Sequence, residues 1–182
     1  MYNTIIETKR LILRPWQMTD INDIVEGLNN FDTAKNLTTP FPYTNENAID
    51  FINKHLKNDD KNFYYAIVLR DNNKVIGGTS LELKPNNRNK GGIWLNQKYT
   101  GKGYGTEVWK ARAEFAFYTL GLSELENGFY DFNEKSWHMQ QKLGYKKVGQ
   151  TVNFCPALNN EVVEIITRLT KEDFETATKK DS

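Results

Sequence analysis

Apolar residues recur at two different periods along this chain, and the switches between those periods predict its elements. Leu11-Ile12-Leu13 opens a strand that ends at Pro15, since proline donates no ladder hydrogen bond. Thr19 or Asp20 then precedes Ile21, Ile24, Val25 and Leu28, which share one side of a helix. Residues 38–43 hold two prolines and two threonines and predict a loop. Thr44 stands before a second short helix carrying Ala48, Ile49, Ile52 and Leu56. Strands over 63–70 and 75–83 are joined by Asp71-Asn72-Asn73-Lys74, which is turn chemistry. Gly77-Gly78 marks a bulge or a close backbone approach. A polar loop over 84–90 leads to a short strand over 91–95.

The second half alternates differently. A helix over 106–120 puts Val108, Ala111, Phe115 and Tyr118 on one side and closes at Gly121. A strand over 125–132, a helix over 134–143 closed by Gly144, and strands over 145–153 and 162–169 follow. The charged tail after Thr170 is expected to fray. The order predicts a mixed α/β (α+β) fold with a largely antiparallel first half. Without a repeat or composition break, residues 1–182 read as one domain, with 7–171 as its folded core.

Charge narrows the function classes. The 24 basic and 23 acidic residues leave a net charge of +1, which argues against a nucleic-acid-binding surface spread over the protein. Cys155 is the single cysteine, so no internal disulfide is possible, and nothing resembles a zinc-ligand set; no metal is expected. No stretch approaches the roughly 20 apolar residues that span a bilayer, and the N-terminus lacks a signal-peptide pattern, so a cytoplasmic protein is expected. Aromatic residues make up 13%, enough to build either a large-residue core or an aromatic-lined pocket.

The most informative run is Thr100-Gly101-Lys102-Gly103-Tyr104-Gly105-Thr106, between a strand and a helix. The first N–H groups of a helix lack internal partners and carry partial positive charge. Glycines let the backbone turn sharply and approach a ligand, which makes a seat for phosphate or pyrophosphate. Lys102 can add a charge. The P-loop spacing is absent, and G-x-G-x-x-G fails at Thr106 or at Val108. The residues alone leave a plain strand-to-helix turn as the alternative.

This run resembles the Gln/Arg-x-x-Gly-x-Gly/Ala signature of the GNAT superfamily of N-acetyltransferases. Gly103 and Gly105 match it; Thr100 replaces its first residue. Further pieces are similar to the branch containing ribosomal-protein N-terminal acetyltransferases. They are Glu7 to Pro15, Trp94-Leu95-Asn96, Gly105-Thr106-Glu107, Asn133-Glu134-Lys135-Ser136, and Lys142-Leu143-Gly144-Tyr145. The resemblance implies a central, mostly antiparallel sheet flanked by helices, whose fourth and fifth strands splay apart. It implies acetyl-CoA in that gap, with pyrophosphate on the backbone around Gly101, Lys102, Gly103, Tyr104, Gly105 and Thr106. Pantetheine would run along Ile93, Trp94 and Leu95 and contact Asn133. Direct transfer to a primary amine, on a protein N-terminus or a small molecule, follows from the same resemblance, and a homodimer is common in such enzymes.

Catalytic residues are less defined. The family's tyrosine acid falls at Gln140, and its fourth-strand glutamate in the region of Lys90. Ser136 is the candidate for bonding the leaving sulfur, with a helix-start role as the alternative. Asn133 is likewise a cap or a pantetheine contact. Glu82 is the candidate base, Asp131 and a water chain being the others. His55 and His138 read as solvent-facing. The loops 38–43 and 84–90 and the segment 154–160, with Phe41, Tyr43 and Phe154, are candidate acceptor walls. With the tyrosine acid and the fourth-strand carboxylate both missing, a coenzyme A-binding sensor or interaction module without catalysis stays open.

Overall fold

A computed structural model describes residues 4–56, 59, 61–85 and 89–179. The elements in chain order are β1 (Ile6–Glu7), β2 (Leu11–Pro15), α1 (Ile21–Leu28), α2 (Phe31–Ala34), α3 (Asn45–His55), β3 (Asn62–Leu69), β4 (Val75–Glu82) and β5 (Ile93–Leu95). After these come α4 (Tyr104–Glu114), β6 (Glu124–Tyr130), α5 (Glu134–Lys142), β7 (Lys146–Cys155), β8 (Asn160–Thr170) and α6 (Lys171–Thr178). Strands β1 to β5 form one antiparallel sheet in chain order, and β6, β8 and β7 form a second. The short β1 raises the strand count by one, so the expected fourth and fifth strands are β5 and β6. They share no ladder. The sheets touch where Lys90 bridges Glu82 on one side and Glu126 on the other, and beyond that point they diverge. The fold is thus the expected mixed α/β architecture, mostly antiparallel and flanked by helices.

Alternation along the strands sorts the core into two layers. Leu11, Leu13, Phe63, Tyr65, Ile67 and Leu81 face α4 and pack with Val108 and Trp109. Ala66, Val68 and Trp16 face the other way, onto Ile24 and Leu28 of α1 and Ala48 and Ile52 of α3. Gly77 and Gly78 are a close-approach point. A Cβ at Gly77 would lie 2.2 Å from Trp94 O, and one at Gly78 would lie 2.7 Å from both the Trp16 and Trp94 rings.

Local signals mostly hold. Thr44 caps α3 in a reciprocal arrangement with Asn47. Gly121 and Gly144 adopt positive φ, 69° and 95°, just past their helices. Several expectations are corrected. The helix begins at Tyr104, not Thr106, and ends in a π-helical turn, Phe115–Thr119, where Leu120 N–H reaches Phe115 O. That extra residue per turn rotates Tyr118 outward, so it is exposed. The tail does not fray at Thr170: the Thr170 side chain caps α6, and Phe174 is buried against Phe117. The middle of the loop expected over 84–90 lies outside the described residues.

Candidate active site

The glycine loop is left-handed where glycine was expected: φ is 74° at Gly101 and 81° at Gly103. Gly103 is the N-cap of α4 and supplies no side-chain cap, so the N–H groups of the first turn stay open to a ligand. Gly105 lies against α5, where a Cβ would meet Met139 Sδ at 2.6 Å. The N-terminal segment braces this loop. Glu107 accepts from Thr8 Oγ1 at 2.6 Å, from the Arg10 backbone N–H at 2.9 Å and from Arg10 Nε at 2.7 Å. Arg10 also donates to Lys102 O at 2.9 Å and stacks 4.4 Å over the Tyr104 ring. Burial alone would raise the Glu107 pKa, but the Thr8 and Arg10 hydrogen bonds outweigh it and hold the carboxyl below its usual value.

A cavity of about 780 Å³ opens beside the loop. Its walls include Gly101, Gly103, Gly105, Thr106, Leu95 and Ile93 on the α4 face of the sheet. They also include Trp16, Phe51, Tyr64, Gly78, Ser80 and Trp94, which belong to the α1–α3 face. The cavity therefore passes through the divergence of β5 and β6 and joins both faces. Register decides what β5 offers it. Ser80 N–H donates to Gly92 O, so Ser80 and Gly92 are a hydrogen-bonded pair. The next pair, Thr79 and Ile93, is then a non-hydrogen-bonded one, as is Gly77 with Leu95. Ile93 and Leu95 thus turn their backbone N–H and C=O groups away from β4, toward the gap.

Asn133 and Ser136 line the same cavity from α5. Asn133 caps the helix by accepting the Ser136 N–H at 3.2 Å. The Ser136 hydroxyl has a second tie: fully buried Gln140 donates Nε2 to Ser136 Oγ at 3.1 Å. Thr167 Oγ1 in turn donates to Gln140 Oε1 at 2.5 Å. With its oxygen engaged as acceptor, Ser136 keeps its own O–H for the cavity.

Other expected residues stand elsewhere. Lys102 and Tyr104 lie outside the lining, Tyr104 being covered by Arg10. Trp94 lines the cavity from the α1–α3 face, stacked on Trp16 with ring centroids 6.4 Å apart. Glu82 is not in the wall; Tyr64 is, and its hydroxyl donates to Glu82 Oε1 at 3.0 Å. Burial opposes ionisation of Glu82, yet Lys84 and Tyr64 hold its pKa below the usual carboxylate value. His138 is exposed, as expected, and borders the cavity; His55 packs on Tyr64 with ring centroids 3.8 Å apart. Tyr43 is core, Phe41 packs on Phe31, and Phe154 is exposed. Cys155 is buried, its thiol directed at Lys35 O and Leu37 O.

Trp16, Phe51 and Tyr64 escaped the sequence reading. They were not among the candidate site residues, and only the glycine pair at 77–78 pointed to a close approach there. Among the described residues, no cluster of His, Cys, Asp and Glu could hold a metal, and no helix is long and apolar enough to cross a membrane.

Comparison with known proteins agrees with this fold. Residues 10–146 match the family model for the acetyltransferase (GNAT) domain. The chain is 26% identical over 145 residues to the uncharacterised N-acetyltransferase YnaD of Bacillus subtilis, spanning 79% of this chain and 84% of that one. The ribosomal-protein-S5-alanine acetyltransferase of Vibrio fischeri superposes with a TM-score of 0.74 at 20% identity, over 94% of this chain and 98% of that one. The spermidine N-acetyltransferase of Vibrio cholerae, solved with CoA and spermine, gives 0.78 at 16% identity, over 92% and 99%. This chain belongs to the GNAT acetyltransferase family and is an acetyl-CoA-dependent acyltransferase.

Proposed function

We propose that the chain, acting as a single domain, moves an acetyl group from acetyl-CoA directly to a primary amine that enters through the aromatic mouth on the α1–α3 face. The observation that carries this reading is the cavity that crosses the sheet. One end holds the glycine loop and the open edge of β5, and the other is lined by Trp16, Phe51, Tyr64 and Trp94.

In this reading the open N–H groups at the start of α4, with Lys102 nearby, hold the pyrophosphate. Ile93 and Leu95 pair with pantetheine as a further strand would, and Asn133 borders it. The Ile93 N–H then faces the thioester oxygen, where a fixed donor is worth most as charge develops. The amine lone pair forms the new C–N bond as the C–S bond breaks, and the Ser136 hydroxyl hydrogen-bonds the departing sulfur. Glu82 acts behind Tyr64: ionised at neutral pH as an ordinary carboxylate is, it accepts the Tyr64 hydroxyl and takes the amine proton that this hydroxyl relays. Holding both substrates in one cavity makes a covalent enzyme intermediate unnecessary. An amine with an apolar body suits the aromatic mouth, and both small amines and peptide N-termini meet that description.

Acetyl-CoA at about 100 times its Kd is expected to stabilise the fold by about 2.7 kcal/mol. Thiol release should follow on adding members of a panel of small amines and N-terminal peptides. No thermal shift at millimolar acetyl-CoA, or binding without thiol release on any acceptor, would sink the reading; the second result would favour a non-catalytic module.

A further inference from the structure

Arg112, in α4, is 4% exposed and sits inside the core layer beside Trp109, 4.1 Å above that ring. Among the described residues it has no carboxylate partner. A buried charge is costly unless its surroundings replace water, so what the guanidinium does touch is informative. Nη1 lies 3.2 Å from Ser80 O and 3.3 Å from Gly92 O, and Nη2 lies 3.4 Å from the Tyr145 hydroxyl. With the Asn127 amide oxygen turned toward it, Nη2 gains a bond of 2.8 Å, and the Asn127 nitrogen then donates to Gly91 O. The site is shaped for this cation: a Cβ on Gly91 would lie 2.8 Å from Nη1 and 2.1 Å from Ser80 O.

Here the backbone pairing that runs from β5 back to Lys90 and Glu82 is interrupted at one bond. Ser80 N–H still reaches Gly92 O at 3.0 Å, but Ser80 O takes the guanidinium. The Gly92 carbonyl collects a third donor, Thr79 Oγ1 at 2.8 Å. Three donors on one carbonyl polarise the Gly92–Ile93 peptide and strengthen its N–H as a donor, since linked hydrogen bonds reinforce one another. That N–H belongs to Ile93 and, by register, faces the gap.

We propose that Arg112 is a positioning residue for acetyl transfer: by holding and polarising the Gly92–Ile93 peptide, it sets the Ile93 N–H that receives the thioester oxygen. The proposal rests on acetyl-CoA occupying the cavity as described above. Two readouts test it together. The first is the carbonyl stretch of bound acetyl-CoA labelled with carbon-13 at the thioester carbonyl, which reports polarisation directly. The second is the split between kcat and the acetyl-CoA KM.

Wild type is expected to shift the carbonyl band to lower frequency. Arg112→Met is expected to bind acetyl-CoA but lose most of that shift. Its kcat should fall roughly 10-fold, less than the roughly 100- to 1,000-fold typical of deleting a direct oxyanion donor. Arg112→Lys should recover part of both. Thr79→Val removes one donor to the same carbonyl without touching the buried charge, and should show a smaller loss of the same sign; it also serves if Arg112→Met does not fold. Arg112→Met or, in its place, Thr79→Val with a wild-type band and kcat overturns the proposal and leaves the acetyltransferase reading intact. Failure of wild type to bind acetyl-CoA overturns both.

Discussion

Replacing Glu107 by glutamine should loosen the cofactor loop without disturbing the core. The carboxylate is 17% exposed and takes three donors, two of them neutral and one the Arg10 guanidinium, on a side chain that is 41% exposed. A hydrogen bond to a charged group contributes about 1.5–3 kcal/mol when well shielded, while an exposed ion pair contributes about 0–1 kcal/mol. The amide keeps one acceptor oxygen, loses the charge and turns an NH₂ toward a donor. The net loss should be about 1–2 kcal/mol, on those two bounds taken together. For a chain of this size that corresponds to a fall in Tm of roughly 2–8 °C. Because Arg10 also holds Lys102 O, the acetyl-CoA KM should rise more than kcat falls, by roughly 3- to 10-fold if about 1 kcal/mol of loop ordering shifts to the binding step. The sign with pH is fixed by the depressed pKa. The stabilisation is complete above the ordinary value of 4.5 and is lost as pH falls through the lower folded-state value. Melting curves of both proteins from pH 7 down to pH 3, with thiol-release kinetics at pH 7, supply the test. A Glu107→Gln protein with unchanged Tm and unchanged KM would refute the brace.

Gly103→Ala forces a Cβ onto a backbone at φ 81°; it should lose about 1–2 kcal/mol in thermal melts and weaken acetyl-CoA binding in titration, and unaltered binding would remove the loop from the cofactor site. Ser136→Ala should lower kcat with little change in the acetyl-CoA KM, and near-normal turnover would leave Ser136 only its place in the first turn of α5.

Much of the scaffold was legible because its signals are local. Gly101, Gly103, Gly121 and Gly144 all have positive φ, a backbone requirement that each residue meets by itself. The alternation in β3 and β4 and the Thr44 cap are similarly local. Where reading failed, a distant residue decided. Phe174 turned a charged tail into α6 by docking on Phe117, and the π-helical turn moved Tyr118 out of its expected stripe. Glu82 stands outside the cavity wall and touches the lining through the hydrogen bond from Tyr64, a pairing across β3 and β4 that no local pattern shows.

The sequence by itself determined where the chain turns left-handed, that a helix follows the glycine run, and which family the chain resembles. Each of these depends on a few consecutive residues. Only the tertiary structure decided that Thr8 and Arg10 would hold Glu107 across nearly a hundred residues, that four aromatic side chains would line one mouth of the cavity, and that Arg112 would take the Ser80 carbonyl where the strand pairing is interrupted. Those pairings depend on how the two sheets diverge and which strand faces meet, and no local pattern encodes that.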